Sequence, residues 1–471
     1  MLERDIIERG IALARNYEID ACSGPVLKKL LVFTLPLMLT GLLQLLFNAA
    51  DIIVVGNFAG DNSMGAVGSN NALINLLTNL FMGLAVGANV IAAKAHGAGH
   101  KKELSEVVHT SMLLGLFSGL LLSAVGIIFA EQLLTLMKTP QNILPLAVTY
   151  LRIYFLGMPG MMIYNFGAAI LRSVGDTKRP LYYLIISGVV NVVLNLVFVI
   201  LFKMDVAGVA LATVISEYIS VALMIRCLMH EQGAIRLELS KLRIHGRQMA
   251  EILKVGLPAG FQGVVFALSN VVIQSSVNLF GDTVVSGNSA AQSIEGFVYM
   301  AMNSFYQAAI SFTGQNYGAR KLERIPKILF CSEGCVIATG LIFGWAAYLL
   351  GTPLLGIYSK SPEVISAGLV RMGFICTTYC LCGMMDVMVG MLRGLGCSVT
   401  PMIVSLAGAC GLRILWIATV FQIEKYHMIE TVYISYPITW IITFLAHVVC
   451  FTIVWRRVKK KDALLGANTA Q

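Results

Sequence analysis

The chain has 471 residues, 57% of them hydrophobic and 13% charged, and carries a net charge of +9. Soluble chains run about 45–50% apolar and about 25% charged, so a soluble enzyme, a nucleic-acid binder and a secreted disulfide scaffold are excluded as descriptions of the whole. The solvent that suits this composition is lipid, and at about 20 residues per crossing the length has room for roughly ten to fourteen spans.

Residues 1–27 are charged and do not resemble a cleavable signal. Ile6, Ile7 and Ile11 share a face that predicts a short interfacial helix. Apolar runs bounded by charge or by Gly and Pro follow near 30–56, 64–93, 106–129, 146–170, 181–202 and 207–228. A polar stretch from His230 to Arg247 interrupts them, and six more runs lie near 252–280, 286–314, 327–350, 364–392, 400–421 and 431–455. Twelve spans are predicted, all helical, because backbone groups in lipid must be satisfied internally. The predicted organisation is a cytoplasmic N-terminal segment 1–27, a first lobe 28–229, a cytoplasmic linker 230–250, a second lobe 251–457 and a basic tail 458–471.

Charge tests the span count. With both termini cytoplasmic, 27 Lys and Arg fall on inner segments, against only Lys138, Lys203, Lys360 and Lys425 outside. That asymmetry is the one required of a multi-pass cell-membrane protein. The basic run from Arg456 to Lys461 reads as a topology anchor, so no nucleic acid is expected as a partner. The ten cysteines and seven histidines form no framework, and small-residue packing accounts for them without disulfides or a metal site.

The chain also repeats itself. LRSVGDTKRP at 171–180 returns as LRGLGCSVTP at 392–401, an offset of 221. LLTLMKTP at 133–140 returns as LGIYSKSP at 355–362, and Leu35, Pro36, Gly41 and Asn48 return as Leu257, Pro258, Gly263 and Asn270, both at 222. Six spans per repeat keep the two halves in the same orientation, related by an axis along the membrane normal. The fold class predicted is all-α integral membrane: twelve helices in two six-helix lobes related by a parallel pseudo-twofold repeat. Two such lobes imply a cavity and hence a transporter.

Polar residues in the spans fall in stripes. Thr40, Gln44, Asn48 and Asp51 share one face of the first helix, Ser187, Asn191 and Asn195 one face of the fifth, and Asn288, Gln292, Glu295, Tyr299 and Asn303 one face of the eighth. Amides and hydroxyls also glue helices together, but glue does not require charge, and Asp51, Glu217, Glu295, Glu333 and Asp386 lie within apolar runs. Glu217 has few polar neighbours in its own span, and Glu333 sits near an inner end where it can snorkel. Arg413 offers Asp386 a partner for a structural ion pair. No Lys or Arg is expected in the first-lobe spans at the depth of Asp51. Glu295 is expected to face the cavity and attract cations. With no phosphate-binding loop and no catalytic constellation, transport has to be driven by an ion gradient or run downhill, and no cofactor is expected.

On these residues the chain resembles the multidrug and toxic compound extrusion (MATE) family of secondary antiporters, over about residues 25–455. DIIVVGNFAG from Asp51 to Gly60 is similar to the family's Asp-containing first-helix motif, and Pro36, fifteen residues earlier, resembles the proline at which some members bend that helix. Asn191, Asn195 and Thr213 match family positions that, with the first-helix Asp, form a cation site. The chain departs from some members at Asn195, where they carry a second Asp, and has no seventh-helix Glu between Pro258 and Asn278.

The resemblance implies an inner-membrane antiporter, acting as a monomer, that expels small amphipathic, cationic organic compounds as Na+ or H+ enters by alternating access of the lobes. If Na+ is the coupling ion, Asp51, Asn191, Asn195 and Thr213 supply the oxygen ligands a hard cation wants; for a proton, Asp51 alone suffices. Gln44, Asn48, Gln292, Glu295, Tyr299 and Asp386 are expected to line the substrate cavity, Pro36 to serve as a hinge, and lipid to be the other partner. Two alternatives stand beside this: a lipid-linked precursor flippase of the same broad superfamily, and a membrane-embedded enzyme.

Overall fold

A computed structural model describes residues 17–469; the interfacial helix expected around Ile6, Ile7 and Ile11 lies outside the described residues. The first three spans are the helices Val26–Phe58, Asp61–Gly97 and Lys101–Ile128. The fourth is a pair, Leu144–Leu156 and Met158–Ser173, meeting at 47°. The fifth, Lys178–Leu196, runs on into a π-helical turn at Val197–Leu201, and the sixth is Asp205–His230. The second half follows the same order: Gly246–Val277, Asp282–Gly318, Ile325–Leu349, a tenth span bent by 44° within Pro362–Gly394, an eleventh from Val399 with a π segment at Leu406–Leu412, and Ile429–Thr469. Among the described residues nine helices are long and apolar enough to cross a membrane, and the two bent pairs bring the number to eleven. The twelfth, Asp282–Gly318, has ample length but carries the polar stripe, which lowers its apolarity.

The repeat is written in the backbone. The second and eighth helices both have 37 residues and begin 221 residues apart, at Asp61 and Asp282. Gly175 and Gly396, again 221 apart, have φ of 96° and 87° between the fourth and fifth and the tenth and eleventh spans. A side chain is strained in that left-handed region, which glycine occupies freely. The repeated LR-x-x-G segments therefore encode a matching turn in each half.

The described residues divide into two compact units. One holds residues 17–20 and Leu39–Gly260, the other Ala21–Met38 and the chain from Phe261 onward. The polar stretch 230–250 is expected as the linker between the lobes. By contact, the chain changes unit inside the first and seventh helices, in each case two residues after an internal proline, Pro36 and Pro258. The stretch itself folds back within the first unit: the Glu238 amide donates to His109 Nε2 at 3.1 Å, the His245 amide to Thr110 Oγ1 at 3.1 Å, and Gln248 Nε2 to Glu106 Oε2 at 2.7 Å.

Packing explains where the proline-bearing helices belong. In the first unit, Gly83 and Gly87 of the second helix lie against Gly256 and Gly260 of the seventh. A Cβ at Gly83 would meet the Gly260 nitrogen at 2.1 Å, and one at Gly87 the Ile252 carbonyl oxygen at 2.4 Å. Small residues four apart on both helices let backbones approach where lipid provides no hydrophobic drive. In the second unit the corresponding contact is aromatic, with Phe33 edge-on to Phe312 at 5.3 Å. The chain before it is tied down as well: Asn316 Nδ2 donates to the Ala21 carbonyl at 3.0 Å, and Arg324 reaches the carbonyls of Ser23 and Gly24 at 3.1 and 3.0 Å. Gly83→Val is expected to force the helices apart and cost about 1–3 kcal/mol, the usual range for overpacking. The check is thermal unfolding of the purified protein in detergent, and an unchanged midpoint would contradict the packing argument.

Candidate functional site

Asp51 lies seven residues before the end of the first helix and is 7% exposed, while Gln44 and Asn48 on the same stripe are exposed. Two other helices converge on the carboxylate. Asn191 and Asn195 sit one turn apart on the fifth, buried, with Asn195 just before the π-helical turn. Such turns widen the helix and are frequent at functional sites. Thr213, half-buried, comes from the sixth.

The four side chains form one hydrogen-bonded set. Asn195 Nδ2 donates to Asp51 Oδ1 and, at 3.3 Å, to Asn191 Oδ1; Asn191 Nδ2 donates to Thr213 Oγ1 at 3.3 Å. Thr213 Oγ1 can donate to Asp51 Oδ2 at 3.5 Å or to the Val209 carbonyl at 3.0 Å. The carboxylate is thus met by neutral donors from two neighbouring helices. Asn195 Oδ1 is buried with no hydrogen-bond partner among the described residues. A half-turn of this amide replaces the donor with an oxygen, and the set then offers carboxylate, amide and hydroxyl oxygens together. Among the described residues no group of three or more His, Cys, Asp or Glu could hold a metal ion. The donors present suit a hard monovalent cation or a proton rather than a transition metal.

The fourth of the first-lobe spans does carry a basic residue, Arg152. Its side chain is exposed, and Asp51 is hydrogen-bonded to Asn195 and Thr213.

In the second unit Glu295 is 4% exposed and not free. Arg371 of the tenth span grips it at both oxygens, Nε to Oε1 at 2.9 Å and Nη2 to Oε2 at 2.8 Å. Arg371 Nη1 also donates to Asn288 Oδ1 at 2.9 Å, Tyr433 donates to the same oxygen at 3.3 Å, and Asn288 Nδ2 donates to Gln274 Oε1 at 2.9 Å. The guanidinium lies over the rings of Tyr433 and Tyr436. Glu295, expected to attract cations, thus already has its charge matched inside the unit. The one available signal was Arg371 itself, an arginine within an apolar run. Arg413 does not take Asp386. It donates to Thr439 Oγ1 at 3.1 Å and stacks 3.9 Å over the ring of Tyr436. Asp386 is half-buried and close enough to Tyr299 for the two to interact electrostatically, and Asn303 Nδ2 donates to the Tyr299 hydroxyl at 3.2 Å. Gln292 is exposed. Pro36 is buried within its helix.

Comparison with known proteins adds an independent line. The model of the MatE family matches residues 36–197 and again 258–418. The two matches begin at the paired prolines, 222 residues apart. "Probable multidrug resistance protein YpnP" of Bacillus subtilis is 29% identical over 396 residues, covering 84% of this chain and 88% of that one. "Probable multidrug resistance protein YoeA" of the same organism is 25% identical over 441 residues, covering 92% and 95%. A solved structure described as the outward-facing conformation of a multidrug resistance MATE family transporter superposes with a TM-score of 0.87 at 20% identity, covering 93% of this chain and 98% of that one. The fold is thus twelve transmembrane helices in two six-helix lobes.

Proposed function

This chain belongs to the MatE family of multidrug and toxic compound extrusion transporters, and from that premise we propose that it is a secondary antiporter expelling small amphipathic, cationic organic compounds in exchange for Na+ or H+. It is a multi-pass membrane protein and a transporter rather than an enzyme. The reading places it in the inner membrane as a monomer with both termini cytoplasmic, working by alternating access of its lobes. It needs no cofactor beyond the coupling ion.

The observation that carries this is the buried Asp51 with its neutral partners Asn195, Asn191 and Thr213. A carboxylate in lipid is costly unless a cation or a proton satisfies it. A lobe whose empty and filled states differ in this way shifts its conformational balance by the ion's differential affinity. Exposed Gln44, Asn48 and Gln292, with Tyr299 and Asp386, are the side chains this reading assigns to substrate. Pro36 and its counterpart Pro258 are assigned to hinge motion. The flippase alternative calls for open cationic groups facing a pyrophosphate, whereas Arg371 is held by Glu295 and Arg413 by Thr439 and Tyr436.

Everted membrane vesicles containing the protein should accumulate ethidium when an outward-directed gradient of the coupling ion is imposed across them. Monensin should collapse the uptake if Na+ drives it, and a protonophore should collapse it if H+ does. Uptake that ignores both gradients would overturn the antiport reading.

A further inference from the structure

One intramembrane acid has no part in the set around Asp51. Glu217 follows Thr213 by four residues on the sixth helix, so the two side chains share a face. Its Oε2 is buried with no hydrogen-bond partner among the described residues.

That oxygen is pressed onto the break in the fourth span. Gly157 separates the two bent segments, and a Cβ built there would lie 2.3 Å from Glu217 Oε2. The next residue of the sixth helix also bonds to this break, since the Tyr218 hydroxyl donates to the Leu156 carbonyl at 2.9 Å. The titratable groups that interact with Glu217 are Asp51 of the first helix, Tyr154 and Tyr150 of the fourth and Tyr218 of its own. Among the described residues no basic side chain joins them. The fifth helix contributes the neutral Asn191 and Asn195. Tyr150 and Tyr154, stacked at 5.7 Å, feel both carboxylates and so belong to one electrostatic neighbourhood with them.

We propose that Glu217 is a second proton-binding group of the first unit, electrostatically linked to Asp51 and seated on the Gly157 bend of the fourth span. The proposal extends the reading of this unit as the ion-loading half and rests on it. A proton is the ligand because one carboxylate falls far short of the six or so oxygens a hard metal cation gathers. The step is simple: H+ adds to a carboxylate oxygen and makes a neutral acid with an O–H donor. The carbonyl oxygens at the break already accept one bond each, and the second lone pair of such an oxygen can accept this donor. Losing the proton returns a bare charge beside that of Asp51, at a site where charge is costly. Protonation of Glu217 and the geometry of the bend are thereby joined, and each transport cycle gains a second titrating group.

The full-length protein in lipid nanodiscs allows a test without substrate. Proton uptake after a pH jump is counted with a soluble indicator, and infrared spectra follow the carboxyl bands. E217Q, a neutral replacement of the same shape, is expected to bind one proton fewer per molecule and to lose one titrating carboxyl band. D51N is expected to keep the Glu217 band with a changed midpoint, because its charged neighbour has gone. On the unmodified protein, dicyclohexylcarbodiimide, which attacks protonated carboxyls in apolar surroundings, should label Glu217 at low pH and less at high pH, as located by mass spectrometry. Equal proton counts and identical bands in wild type and E217Q, or no labelling of Glu217 at any pH, overturn the proposal. Failure of gradient-driven ethidium uptake would instead overturn the antiport reading, and the spectra would register that separately.

Discussion

Asp51→Asn is expected to yield a protein that inserts at normal abundance yet no longer exports drugs against a gradient. The replacement keeps the side chain's shape and an acceptor for Asn195 Nδ2, and its new amide group can donate to Thr213 Oγ1, so the contacts that hold the first, fifth and sixth helices together survive. Only the charge is lost. Driving a two-state transporter from about 1:99 to about 99:1 takes about 5.5 kcal/mol of differential affinity, and a neutral amide has no comparable preference for a proton or Na+. Ethidium accumulation in cells should rise to the level of cells lacking the transporter while immunoblots show unchanged membrane protein. Wild-type export by a normally inserted Asp51→Asn variant would place the coupling site elsewhere, with Asp386 the next residue to examine.

Arg371→Met is expected to destabilise the second unit by about 3–5 kcal/mol, the usual consequence of removing one partner from a buried pair. The substitution strands the Glu295 carboxylate, deprives Asn288 Oδ1 of its charged donor, and removes the cation from between the rings of Tyr433 and Tyr436. Replacing both partners, as Glu295→Met with Arg371→Met, should restore most of the loss, because no uncompensated charge then remains. Thermal unfolding in detergent measures both. The double variant also separates scaffold from function: retained export of cations would make the pair structural, and lost export despite restored stability would return Glu295 to the substrate pathway. A single Arg371→Met protein as stable as wild type would contradict the burial argument.

Much of this molecule follows from patterns local to the chain. Twelve apolar runs, the lopsided distribution of Lys and Arg and the offset of 221–222 residues suffice for a two-fold repeat of six helices, because span length, loop charge and duplication are properties of sequence order. Asp51 on its stripe and Asn191 and Asn195 one turn apart are likewise visible from a period of 3.6. What that period leaves open is which helix a given face meets, and tertiary packing decided each such case. Glu295 and Arg371 are 76 residues apart on different helices, and only the rotation of the tenth span brings the guanidinium onto the acid. Arg413 lies closer in sequence to Asp386, but its helix turns it to Tyr436 and Thr439. The division of units inside the first and seventh helices depends on glycines that let the seventh lie against the second, and on Phe33 meeting Phe312. Helix periodicity specifies what each surface carries, and the depth and angle at which two helices pack decide which charges find a partner.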